Sequence, residues 1–414
     1  MSKYQILVEQ AKNKRALQTE SKLYQYLTED HQNELDALAI DLSAINNHIK
    51  VDDEILNDAV IDYGLISKKL IKKLSWPDES IHILPQGSSS TKTLINSPDS
   101  SKFDIDAVCI VDASVIDVTD PMKFYELIGD ALEEWKPIPK KRCWTITFSD
   151  RRYYLDFTPS TQLDKVREVA ETYVQYEPGH KYSEKALAVV DTPTEKWKTS
   201  NPEGFSDWIT NQSERLLLQW RSEDSTALKE FSESITPVPD QEVLLSDTLR
   251  IAIRLLKRHR DMSVKRGIIQ SELKPISIII VTLLTKCYEG LADMSEVYTH
   301  PIKLLIDLVD LMPHMLEERG NDYWVSNPTV SGENFSEKWN TNSDLKREFD
   351  TWTRQVKSDL VDIMDITDDA DRSIKIKQVF GCTGAKATDP PTGSGLTDNK
   401  PDKLYKAPAT KGLA

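Results

Sequence analysis

At 414 residues, 39% apolar and 29% charged, the chain is long enough for two packed lobes and has a globular rather than a disordered or fibrous profile. Its formal charge of −15 argues against a long nucleic acid as the main partner, because such proteins show a basic balance or stripe; a single nucleotide needs only a local basic cluster. Cys109, Cys143, Cys287 and Cys382 lack metal-ligand spacing, which excludes a zinc site or disulfide framework, while the charged start and short apolar runs predict a cytoplasmic protein that does not enter a membrane.

Residues 33–76 carry apolar residues at helical spacing as far as Trp76-Pro77, which predicts helix in two pieces. "IHIL" (81–84), "FDIDAVCIV" (103–111), "CWTITF" (143–148) and "YYLDFTP" (153–159) are rich in β-branched and aromatic residues and predict strands. "SDRR" is the expected hairpin turn between the last two, and "DPMKFYELIGDALEEW" is a helix between the second and third. Residues 160–245 read as polar and mixed, with "NPEGFSDWI" their landmark. From 243 to about 380 the period is helical again. The units expected are 1–190 for N-terminal helices and catalytic core, 191–242 for a connection, 243–380 for a helical lobe and 381–414 for a disordered tail. The fold class is α+β: a small mixed sheet with helices plus a helical lobe, with the site in the cleft between them.

Chemistry concentrates in "LPQGSSSTKTLINSPDSSKFDIDAVCIVD", residues 84–112. Side chains alternate along a strand, so Asp104 and Asp106 project together while Ile105 and Ala107 face the other way. Two adjacent carboxylates repel unless a divalent cation sits between them, and Asp156, set among apolar residues of a neighbouring strand, would complete a two-metal site. Gly87 allows close approach of backbone to a phosphate, Ser88 to Ser90 offer hydroxyls and amides, and "SSTKTLI" can open a short helix whose N-terminus favours anions. With 67 acidic residues, an isolated Asp-x-Asp means only solvated charge, and "QGSSST" in isolation reads as a linker. The ordered combination carries the argument.

That combination resembles the active site of DNA-polymerase-β-type nucleotidyltransferases. Within them it is most similar to the bacterial cGAS/DncV-like enzymes (CD-NTases), the signal synthases of CBASS antiphage defence. "DTPTEKWKTSNPEGFSDWI", "LLKRHRD", "KPISIIIVTLLTK" and "SNPTVSGENFSEKW" extend the likeness to about residue 380. The resemblance implies a polymerase-β-like core with two Mg²⁺ (Mn²⁺ able to substitute) on Asp104, Asp106 and Asp156. Gln86, Gly87, Ser88 and Thr93 then cradle the triphosphate of ATP or another NTP, and Lys257 and Ser277 close on it from the helical lobe. It also implies ring closure of a linear product to a cyclic di- or trinucleotide. In part of that family an E1/E2-like partner conjugates the C-terminus, and Gly412-Leu413-Ala414 looks like such an end.

Arg250 and Arg254 are expected on the solvated basic face of an amphipathic helix. His82 and His259 are expected to be structural, Cys109 to lie in the core, and Trp208, Trp339 and Trp352 to anchor packing. The rival classes are a nucleotidyltransferase acting on an RNA 3′ end or a protein, and a non-enzymatic module that kept the fold. Net acidity speaks against RNA, the long helical lobe against a small protein-modifying enzyme, and three intact aspartates against a dead fold.

Overall fold

A computed structural model describes residues 1–16, 22–99, 101–166, 181–218 and 235–384; the tail from 385 on, with Ala414, lies outside the described residues. In chain order come α1 (Lys3–Ala16), α2 (Lys22–Thr28), α3 (Gln32–Ile49), α4 (Asp53–Leu74), β1 (Ile81–Gln86), the single turn α5 (Gly87–Ser90), β2 (Phe103–Val111), α6 (Pro121–Ala131), β3 (Ile138–Pro139), β4 (Trp144–Thr147) and β5 (Tyr153–Gln162). They are followed by β6 (Leu187–Asp191), β7 (Lys196–Ser200), α7 (Pro202–Ser213), α8 (Thr248–Lys265), α9 (Ser277–Asp293), α10 (Pro301–Leu311), the hairpin β8 (Glu317–Arg319) and β9 (Asp322–Trp324), α11 (Ser343–Asp365) and α12 (Asp369–Phe380). No helix of the described residues is long and apolar enough to cross a membrane.

Local chemistry sets the element ends. Asp53 and Glu54 place negative charge in the first turn of α4, and Ser75, left-handed at φ 54°, ends it before Trp76-Pro77. In α6 the Asp120 carboxylate accepts from the Lys123 amide and Pro121 opens the helix; in α7 Asn201 and Pro202 repeat the device. α8 starts at Asp247, whose side chain caps the Arg250 amide.

The sheet runs β1-β2-β5-β4-β3, with β6 paired to the far end of β5 and β7 to β6. Among the strand pairs of the described residues only β2 and β5 run parallel, and the other pairs of this sheet are antiparallel. Strands β6 and β7 fall in the stretch expected to be polar and mixed. Their signal is present in "ALAVVDTPTEKWKTS", an apolar run, a turn and an alternating run.

Two large apolar cores hold the described residues, with a small third cluster of Leu84, Val108 and Leu187 on the sheet. One lies between the sheet and helices α4 and α6, and includes Tyr63, Ile66, Ile105, Ala107, Phe124, Leu155 and Phe157. Cys109 is fully buried in it, as expected. The other joins residues of α1 to α3, such as Val8, Leu38 and Ile45, to α8 through α12. The packing boundary therefore falls after α3, so the first three helices share the core of the helical lobe rather than that of the sheet. An amphipathic stripe announces that a helix will pack, not which lobe it will meet. Trp208, Trp339 and Trp352 are buried anchors of this second core. His259 is buried beside Asp359, 3.0 Å away, with its other nitrogen accepting from the Trp352 indole; His82 bonds Thr236. Both roles are structural.

Candidate active site

β2 has one face in the core and one toward the cleft. Ile105, Ala107 and Cys109 are fully buried, whereas Asp104 is exposed and Asp106 half-buried. The parallel register pairs Asp106 with Asp156 and Asp104 with Tyr154, so alternation on two neighbouring strands sends the acidic positions to the same side. Burial first, then the charges of Asp104 and Asp156, push the Asp106 carboxyl up to about 8. Asp104 and Asp106 line a cleft of about 660 Å³. Asp156 stands behind them, its carboxylate bonded to the Thr145 hydroxyl and 3.3 Å from Lys140 Nζ. The three carboxylates do not form a closed ligand cluster among the described residues.

The loop after β1 forms the adjoining wall. Gly87 has φ +62°, and a Cβ there would strike Asp106 Oδ2, with Asp106 Cγ at 3.1 Å. The missing side chain is what lets the carboxylate lie against the loop. Gln86 spans β1 to β5 through Thr158 Oγ1 at 3.0 Å, and it lines the cleft with Ser88. Ser89 and Ser90 spend their hydroxyls on the Gln86 and Gly87 carbonyls, while Ser88 makes no side-chain hydrogen bond among the described residues. The short helix begins at Gly87, not within "SSTKTLI", and stops at Thr91. Lys92 at φ 57° breaks it, and Thr91 Oγ1 turns back to the Gly87 carbonyl. Thr93 borders the cleft but is buried, with its hydroxyl on Thr91.

The opposite wall comes from α8 and α9. Lys257 is 5% exposed, borders the cleft and donates to the Thr93 carbonyl at 2.8 Å. Burial and the nearby Arg260 lower its pKa to about 8, against the pull of Asp104. Ser277 opens α9 as its first residue rather than as its cap, and its Oγ accepts from Arg260 at 2.9 Å. Arg250 and Arg254, expected in solvent, are buried. Arg250 donates to the Thr91 carbonyl at 2.9 Å and Arg254 to that of Lys92 at 3.0 Å. The basic face of α8 meets loop carbonyls instead of water, which helical periodicity does not reveal.

Several cleft residues carry no motif of their own. Arg260 is one, although "LLKRHRD" marks its helix as basic. Arg142, bonded to Glu333 at 3.1 Å, closes the rim with Asn327 and Phe335, residues that chain folding brings from far apart.

Asp104 and Asp106 fit a divalent cation. They are oxygen donors crowded by like charge, with a side-chain-free backbone beside them and cationic groups across the cleft to take an anionic ligand. A Gly-Ser loop beside acidic strand positions, faced by Lys257 and Ser277 on a helical lobe, is the arrangement that the sequence resemblance implies for a nucleotidyltransferase of the DNA-polymerase-β type.

Comparison with known proteins makes the class specific. Residues 81–159 match the family described as "Cyclic GMP-AMP synthase DncV-like, nucleotidyltransferase domain". Over 306 residues, 73% of this chain and 72% of the relative, the sequence is 23% identical to a c-di-GMP synthase of Roseivirga ehrenbergii. The fold is shared with the CD-NTase CdnG of Bradyrhizobium diazoefficiens, solved with GTP, at TM-score 0.55 and 17% identity over 84% of this chain and 95% of that one. It is shared with CdnC of E. coli in a HORMA complex at TM-score 0.52 and 13% identity, over 84% and 98% of the two chains. Residues 81–159 thus carry the match to a DncV-like nucleotidyltransferase domain, and the chain shares its fold with CD-NTases.

Proposed function

We propose that this enzyme joins nucleoside triphosphates into a cyclic di- or trinucleotide that serves as a second messenger in antiphage signalling, with Mg²⁺ as cofactor. The observation that carries the reading is the register of Asp106 with Asp156 on parallel neighbours, beside the Gly87 loop and across the cleft from Lys257. The name of the Roseivirga relative and the GTP in the CdnG structure support cyclic dinucleotide chemistry and NTP substrates.

In this reading the loop from Gln86 to Thr93 and the Lys257 and Ser277 side chains bind and orient the donor triphosphate. Asp104 and Asp106 hold the cation, with Asp156 on the acceptor side. Mg²⁺, when bound, neutralises charge on the phosphates and acts as a Lewis acid. An acceptor ribose hydroxyl forms a bond to the α-phosphorus; the bond to the β-phosphate oxygen breaks, pyrophosphate leaves and the hydroxyl proton passes to solvent. A second transfer within the linear product closes the ring.

The test incubates purified enzyme with each NTP combination and Mg²⁺, then analyses products by mass spectrometry after phosphatase treatment. A phosphatase-resistant small product, with two pyrophosphates released per cyclic dinucleotide, is expected. Label incorporated only when RNA or protein is added would replace this reading. For conjugation through Ala414 by an E1/E2-like protein the support is the resemblance alone; co-expression and intact-mass analysis should show adducts that vanish when Leu413 and Ala414 are removed.

A further inference from the structure

Helix α8 carries cations on successive turns at Arg250, Arg254, Lys257 and Arg258, all no more than 9% exposed. They contact one short segment: Arg250 reaches the Thr91 carbonyl, Arg254 that of Lys92, Lys257 that of Thr93 and Arg258 that of Asn96, at 2.8 to 3.0 Å. Thr91, Thr93 and Asn96 border the cleft, so one thickness of loop separates Arg254 and Arg258 from it.

Charge compensation is uneven along the row. Arg250 pairs with Asp247 at 2.6 Å. Among the described residues no carboxylate lies within 4.0 Å of Arg254, Lys257 or Arg258. Arg254, fully buried, has only neutral partners among the described residues: the Lys92 and Gln241 carbonyls and Asn46 Oδ1. Asp240, Glu242 and Asp247 act on it only from further away. Among the described residues Arg258 bonds only Asn96, and its buried Nε has no hydrogen-bond partner. A buried cation with no adjacent anion is expensive, so its retention calls for an anion that arrives later.

We propose that Arg254 and Arg258 form a second, solvent-excluded layer of positive charge behind the loop, answered by a polyphosphate in the cleft, and that they set donor affinity through the loop without touching the nucleotide. The inference rests on the reading that this loop takes the donor triphosphate. Both are positioning residues: they hold loop carbonyls away from the cleft and raise the potential at its surface.

The test uses full-length Arg254→Gln, Arg254→Lys and Arg258→Gln. Binding of inorganic triphosphate and of ATP is measured calorimetrically at low and high salt, alongside ligand-free thermal melting. The two Gln variants are each expected to bind triphosphate about tenfold more weakly, the order expected of one charge at an effective dielectric of ~20, with ligand-free melting equal to or above wild type. Arg254→Lys should stay within about twofold of wild type, because it keeps the charge and loses the fork. A merely structural role predicts instead that Lys and Gln lose affinity alike, in step with a lower melting temperature. That pattern, or Gln variants that bind as wild type does, overturns the inference. If Arg254→Gln does not fold, Arg258→Gln decides. Wild-type protein that binds no triphosphate overturns the donor-site reading itself, and this inference with it.

Discussion

Replacing Gly87 by alanine separates the loop's backbone requirement from its contact with the acidic site. Gly87 sits at φ +62°, where an L-residue costs about 1–2 kcal/mol. Its new Cβ would also strike Asp106 Oδ2, so the carboxylate must turn, at a further cost of about 0.5–1.5 kcal/mol if it leaves its rotamer. Gly267 is the control: its φ is +70°, but a Cβ there would meet nothing within 4 Å. Gly267→Ala should therefore lose about 1–2 kcal/mol of stability and keep its rate. Gly87→Ala should lose slightly more stability, yet at least about a hundredfold in rate, the order expected when a reacting group is misplaced by about an ångström. The assays are denaturant unfolding and initial pyrophosphate release with saturating NTP. A Gly87→Ala enzyme whose rate falls no further than that of Gly267→Ala would refute the close approach of loop and carboxylate.

Further outcomes follow from the carboxylates and the net charge. Asp104→Asn combined with Asp106→Asn should abolish product with the fold intact, read by circular dichroism beside the product assay; more than trace product would falsify the assignment. Asp156→Asn should still bind nucleotide in a filter assay but make little product, and loss of binding as well would show that it does not serve the acceptor side. Because the folded Asp106 carboxyl titrates near 8, above its unfolded value near 3.8, the folded state holds the extra proton between them. Its stabilising contribution is thus full at low pH and lost as pH rises through about 8. Metal-free wild type should consequently lose melting temperature relative to Asp106→Asn between pH 5 and about 8, and parallel curves would contradict the shift. Long DNA or RNA should not stimulate synthesis, given the charge of −15; stimulation that fades with added salt would count against this.

The acidic strand was legible because it is local. In "FDIDAVCIV" the period of two already puts Asp104 and Asp106 on one face and Ile105 and Ala107 on the other, and β2 has the bounds this pattern predicts. "YYLDFTP" likewise gave a strand with its aspartate in place. Signals that depend on what a surface meets were not legible. Nothing in "LSDTLRIAIRLLKRHRD" distinguishes a basic face in water from one covered by a loop more than 150 residues earlier, as the partners of Arg250 and Arg254 show. The short β6 and β7 were missed for the opposite reason: a weak local signal stood in a polar stretch, and pairing with β5 stabilises them.

By itself the sequence determined the main helices and the strands β1, β2, β4 and β5, the acidic positions and the glycine that must lie beside them, because backbone sterics and side-chain alternation act within a few residues. The tertiary structure decided the rest. It set the register that places Asp106 opposite Asp156, docked α1 to α3 on the helical lobe, turned Asp156 toward Thr145 and Lys140, and gathered Arg142, Asn327 and Glu333 at one rim. These choices depend on apolar burial and hydrogen bonding between segments far apart in the chain, whose energies exist only once the segments meet.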